Sequence, residues 1–134
     1  MFRILMTVAA IDGIGFGLAA LVVPELTISV FGGELNALGL ALFRQLGGII
    51  IGYGLIDWFV RNLEPGPMRR GLAIGNLVTF SAIAITASII ASGGLLNALG
   101  WGIAAIHAFV SLGLIAVLVT SMGTEPIGSQ VRNH

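Results

Sequence analysis

The chain has 134 residues, of which 57% are hydrophobic and 9% charged, with no cysteine and no net charge. Soluble domains are about half apolar and about a quarter charged, so this composition excludes an ordinary soluble domain and indicates a protein surrounded by the lipid bilayer. The lack of cysteine excludes disulfides and thiolate metal sites, and without a basic stripe we expect no nucleic acid partner.

Four apolar segments follow one another along the chain, each long enough for a helix to cross a hydrocarbon core about 30 Å thick. Segments rich in proline or glycine separate them. A further short apolar segment, residues 26–31, is expected to lie on the membrane surface. The sequence therefore predicts an all-α fold, a four-transmembrane-helix bundle that forms a single membrane domain over residues 1–134. The predicted helices cover residues 4–23, 37–60, 72–91 and 98–121.

The first apolar segment also has the layout of a secretory signal peptide, with Arg3 ahead of an apolar run. Two features indicate an uncleaved helix instead. Asp12 lies in the middle of the run, and the sequence Val23-Pro24-Glu25 that follows has no pair of small residues suited to cleavage. We therefore expect a first transmembrane helix.

The distribution of arginine predicts the orientation, because short cytoplasmic loops collect basic residues. With four spans, five arginines fall on one side, and the opposite loops carry only Glu25 and Glu34. Both termini are therefore expected in the cytoplasm, in a multi-pass protein of the bacterial inner membrane. The five are Arg3, Arg61, Arg69, Arg70 and Arg132.

Three ionisable side chains, Asp12, Arg44 and His107, lie inside the predicted spans, where charge is costly and often functional. Each lies about 12 to 15 Å from an end of its helix, so the three are expected in one central layer. One interpretation is a polar cluster that binds a headgroup, a small solute or a proton. We favour a structural salt bridge of Asp12 with Arg44, with His107 as a hydrogen-bond partner. A third interpretation has Arg44 extending outward to the interface.

Small residues line one face of each predicted helix and indicate where helices approach closely. Some flank Asp12, and others follow Arg44 at intervals of four residues. Their number exceeds what one interior face per helix would use, which predicts contact with a protein partner or a second copy of the chain. The alternative is that glycine is simply frequent in membrane helices. The glycines predicted to serve helix packing are Gly13, Gly17, Gly48, Gly52, Gly71 and Gly75.

Residues suited to catalysis are few. The spans hold one histidine but no nucleophile with its base and no metal-ligand set, so we assign no catalytic residue and no metal, and enzymatic activity is not expected. An acid–base pair of Asp12 with His107 stays open, and no cofactor can be assigned. At the end of the second span, Asp57 and Arg61 are four residues apart and are expected to form an exposed pair of small energetic value.

A pattern of short motifs extends over most of the chain: Pro24-Glu25, Phe31-Gly32, residues 43–48, residues 58–61 and residues 97–101. This pattern resembles small bacterial four-helix membrane proteins of unknown function. The resemblance implies the four-helix architecture and no particular activity. The loops are too short to hold a soluble domain and the interior lacks a catalytic set, which favours a structural or accessory subunit of a larger membrane assembly. The alternative is a small carrier or lipophile-binding protein that uses the central polar layer, and an enzyme acting on a lipid comes third.

Overall fold

The computed structural model describes residues 1–122, with side chains described as far as residue 120. This part of the chain is all-helical, and four of its helices are long and apolar enough to cross a membrane, as predicted. Arg132, which contributed to the predicted orientation, lies outside the described residues. The helices are α1 (Phe2–Val22), α2 (Pro24–Val30), α3 (Ala37–Val60), α4 (Pro67–Ser92) and α5 (Ala98–Met122).

Local signals explain where several helices begin. Pro24 and Pro67 stand at the starts of α2 and α4, where the fixed φ and missing N–H of proline suit a first helical residue. The side chain of Asn36 caps α3 by accepting a hydrogen bond from the N–H of Gly39, 2.8 Å away. Hydropathy placed the start of α4 at residue 72 rather than at Pro67, because the polar first turn of this helix carries no apolar signal.

The long helices form two tightly packed pairs, α1 with α3 and α4 with α5. In the first pair, a Cβ atom added to Gly17 would lie 2.7 Å from the carbonyl oxygen of Gly47, and one added to Gly47 would lie 2.7 Å from the carbonyl oxygen of Gly17. Farther along, a Cβ atom on Gly13 would lie 3.2 Å from the Cα atom of Gly54. The two backbones are therefore in direct contact, and their register is antiparallel.

A hydrophobic core joins the two pairs, and α1 is the helix that links them. Its residues Phe2, Leu5, Met6 and Ala9 are buried against apolar side chains of α4 and α5. α3 contributes no buried residue to this core, reaches it only through Val60 at its end, and is the least buried of the four long helices. One broad face of α3 consequently points away from the rest of the protein. The core residues from the other helices are Ala73, Phe80, Val110, Leu114 and Val117.

Asn97 connects the two pairs at the opposite end of the bundle from Phe2. Its backbone N–H donates to the carbonyl of Phe31 at 2.7 Å, and its side-chain amide donates to the carbonyl of Val30 at 2.9 Å. Its side-chain oxygen accepts from the N–H of Leu99, at the start of α5. The segment expected on a membrane surface thus forms the helix α2, whose end is tied to the turn between α4 and α5.

Gly13 and Gly17 of the six predicted packing glycines lie at this helix contact, whereas the predicted interior line of Gly48 and Gly52 on α3 needs a correction. Gly71 and Gly75, predicted for contact with another protein, are open on α4. A Cβ atom on any of the other four would meet no atom within 4 Å. α3 uses Gly47 and Gly54 instead, which are seven residues apart and share a face. The predicted line of Gly48 and Gly52 points about 100° away from Gly47 around the axis of α3, which is the turn made by one helical residue. The four outward glycines are Gly48, Gly52, Gly71 and Gly75.

Candidate functional site

Asp12 and His107 form an ion-pair contact near the middle of α1 and α5. The distance between Asp12 Oδ2 and His107 Nε2 is 3.5 Å. The side chain of His107 is 10% exposed and that of Asp12 is 37% exposed, so the pair opens to the outside of the bundle on the Asp12 side. Two of the three residues predicted for a central polar cluster are therefore together.

The other ring nitrogen of His107 limits the protonation states of this pair. Nδ1 lies 2.7 Å from the carbonyl oxygen of Ile103, and because a carbonyl can only accept, Nδ1 must carry a hydrogen. An ion pair with the Asp12 carboxylate, 3.5 Å away, forms when Nε2 carries a second hydrogen, whereas a neutral ring presents a lone pair there.

Polar and aromatic contacts hold the histidine in place. The ring of Phe80 lies with its centroid 5.2 Å from that of His107. The hydroxyl of Ser111 donates to the carbonyl of His107 at 2.8 Å and accepts from Ser81 of α4 at 3.2 Å. A short line of polar groups thus runs from α1 through α5 to α4.

Arg44 does not join this pair, which corrects the predicted salt bridge with Asp12. Its Nη2 lies 3.4 Å from Glu25 Oε1, and both side chains are more than half exposed. The antiparallel register explains the difference. Gly47 lies against Ala20 and Leu21, so Arg44, three residues earlier on the antiparallel α3, is level with Val23 at the end of α1, about 17 Å along the helix from Asp12. The outward interpretation of Arg44 is therefore the one that the structure supports.

A second buried polar contact, between Asp57 and Asn76, escaped the sequence analysis. Asp57 is only 3% exposed, and its Oδ1 accepts a hydrogen bond of 2.8 Å from Nδ2 of Asn76 on α4. The same amide lies 3.8 Å from the sulfur of Met6. The sequence signal that could have revealed the burial of Asp57 is its spacing, since Asp57 follows Gly54 by three residues and shares its buried face. This contact joins α3 to α4.

Asp57 therefore does not pair with Arg61, contrary to the sequence analysis. The guanidinium of Arg61 stacks on the indole ring of Trp58, with Cζ 3.7 Å from the ring centroid. It also donates to the carbonyl of Trp58. Asp57 faces inward and Arg61 stays at the helix end, so the two side chains separate.

Neither polar contact has the composition of a metal site. Within residues 1–120, no group of three or more His, Asp or Glu side chains is placed to hold a metal ion. Comparison of the chain with protein-family models, with curated proteins and with solved structures finds no match. The geometry of this chain is therefore the basis on which its function is inferred.

The Asp12–His107 contact predicts energetic coupling between these two residues. Asp12→Leu and His107→Leu are each expected to lower the free energy of unfolding in detergent, and the double variant to lose about 0.5 to 1 kcal/mol less than their sum. Arg44→Gln is the matched control, and its effect should add to that of Asp12→Leu. Coupling of Asp12 with Arg44 but not with His107 would contradict the pairing.

Proposed function

We propose that this chain is a multi-pass protein of the bacterial inner membrane, where it serves as a structural or accessory subunit of a larger assembly. The observation that carries the proposal is the outward face of α3. This face carries two glycines and an amide side chain against which another membrane helix could pack. Within the described part of the chain, no helix packs against it.

The outward face of α3, defined by Gln45, Gly48 and Gly52, occupies one stripe because its residues are three and four positions apart. All three are exposed, and Gln45 makes no side-chain hydrogen bond within residues 1–120. An amide facing hydrocarbon lacks the partners that water would supply, which is costly. A neighbouring helix packed against the two glycines would allow backbone contact and give Gln45 a partner. Gly71 and Gly75 of α4 form a similar stripe, but without an unsatisfied amide.

Orientation is the second part of this proposal, with both termini in the cytoplasm. Three arginines, Arg3, Arg61 and Arg69, lie together at the end of the bundle where α1 begins and α3 ends. Positive charge gathers on the cytoplasmic side of short loops, which supports this orientation. Reporter fusions inserted between Glu64 and Met68, or at the C-terminus, should be active in the cytoplasm. A periplasmic signal at either position would exclude it.

The assembly role can be tested with single substitutions on different outward faces. Gly48→Leu should weaken association about tenfold, since the leucine side chain would hold a partner helix away. Gly15→Leu is the matched control, because Gly15 on α1 is equally open. Native mass spectrometry from mild detergent and crosslinking in the membrane would measure association and distinguish a second copy from another protein.

Two outcomes would count against the accessory role. One is a wild-type chain that stays monomeric and partner-free in both measurements. The other is an association that Gly48→Leu and Gly15→Leu reduce equally. If Gly71→Leu alone abolishes association, the assembly role stands but its surface lies on α4.

A second candidate function is a small carrier or lipophile-binding protein that uses the Asp12–His107 pair. The observation that favours it is the 37% exposure of the Asp12 side chain, which leaves the pair open to a molecule approaching through the bilayer. A monomeric protein that retains one small molecule, and loses it in Asp12→Leu but not in Arg44→Gln, would favour the carrier. An accessory subunit is expected neither to retain a small molecule nor to lose one when Asp12 is replaced.

A further inference from the structure

A basic cavity of about 370 Å³ opens at the end of the bundle where α1 begins and α3 ends. Three arginines from three different parts of the chain line this basic cavity: Arg3 in the first turn of α1, Arg61 just after α3 and Arg69 in the first turn of α4. These are half of the six arginines in the chain. The fold therefore concentrates positive charge at one place.

Two of the three guanidinium groups are held in defined positions by aromatic rings. Arg61 stacks on Trp58 with its Cζ 3.7 Å from the ring centroid, and Arg69 lies over the ring of Phe2 at 4.5 Å. Each also reaches a backbone carbonyl, Arg61 that of Trp58 and Arg69 that of Leu63. A guanidinium carries five N–H donors, so these contacts orient the group while leaving most donors available.

None of the three arginines is neutralised within the described part of the chain. The ion pairs there are those of Arg44 with Glu25 and of His107 with Asp12, at the other end and in the middle of the bundle. Glu64 also lines the basic cavity but forms no ion pair with the arginines. Three positive charges and one negative charge leave the basic cavity suited to an anion.

From this geometry we propose that the basic cavity binds the phosphate of an anionic phospholipid headgroup. Guanidinium groups recognise phosphate oxygens through paired N–H donors. Basic pockets between membrane helices are suited to lipid headgroups. The last turn of α3 beside the basic cavity carries Phe59, which is 79% exposed and offers apolar surface to acyl chains. This proposal requires membrane insertion but not the partner-binding face of α3.

The test is native mass spectrometry of the full chain in detergent, titrated separately with phosphatidylglycerol and with zwitterionic phosphatidylcholine. Phosphatidylglycerol should bind more tightly. Arg3→Gln should weaken its binding about fivefold, and the double variant Arg61→Gln/Arg69→Gln about 25-fold. Arg44→Gln is the matched control, because this arginine is exposed and lies at the opposite end of the bundle. It should bind phosphatidylglycerol like the wild type.

The inference is overturned if the two lipids bind equally, or if the arginine variants of the basic cavity bind phosphatidylglycerol as the wild type does. Inorganic phosphate is the probe for a soluble ligand. If it binds more tightly than phosphatidylglycerol, the phospholipid assignment is wrong. If the double variant does not fold, Arg3→Gln decides the result, since the Arg3 side chain is exposed and forms no hydrogen bond or ion pair within residues 1–120. If the lipid-binding measurements contradict this proposal, the test of association with the Gly48→Leu variant is unaffected.

Discussion

Gly47→Ala is expected to lower the free energy of unfolding by about 1 to 3 kcal/mol, as overpacking of a close contact does. The added Cβ atom would lie 2.7 Å from the carbonyl oxygen of Gly17 and 2.8 Å from the backbone nitrogen of Leu21. Backbone atoms cannot rotate out of the way as side chains can, so α1 and α3 would have to separate. The substitution would therefore weaken the α1–α3 contact, which holds α3 to the rest of the protein.

The adjacent glycine supplies the control for this prediction. A Cβ atom on Gly48 meets nothing within 4 Å, and alanine is the better helix former, so Gly48→Ala should be neutral or slightly stabilising. Gly54→Ala and Gly52→Ala form a second such pair on the same helix. Unfolding in detergent, followed by circular dichroism, would measure all four. Equal effects within either pair would contradict the α1–α3 contact.

Asn76→Leu is expected to cost about 3 kcal/mol, since it leaves the buried carboxyl of Asp57 without its hydrogen-bond partner. Asp57 is 3% exposed and receives its 2.8 Å hydrogen bond from Asn76, so no water replaces the lost amide. Leucine is close to asparagine in size, which limits the contribution of packing. The expected loss therefore reports on the unsatisfied carboxyl.

The double variant Asp57→Leu/Asn76→Leu should recover much of this loss, because removing both polar partners leaves nothing unsatisfied. Thr79→Val on the exposed face of α4 is the control and should stay within about 0.5 kcal/mol of the wild type. Free energies of unfolding for the two single variants and the double form the measurement. If the two single effects add in the double variant, Asp57 and Asn76 do not interact in the folded protein.

The sequence by itself determined the existence of the four long helices and three of the polar residues inside them. Apolar runs of about 20 residues reveal helices able to cross a membrane, and proline marks where several of them begin or end. An ionisable residue within such a run stands out whatever its partner is, which is why Asp12, Arg44 and His107 were identified. These features are local, so neighbouring residues suffice to predict them.

Only the tertiary structure decided which polar residue meets which. The α1–α3 register places Arg44 level with Val23 at the end of α1, where Glu25 becomes its partner and Asp12 is left to His107. Neighbouring glycines such as Gly47 and Gly48 face directions about 100° apart, and both directions contain small residues. Sequence spacing cannot choose between two such faces. The choice follows from backbone contact between α1 and α3, which also turns Asp57 inward to Asn76.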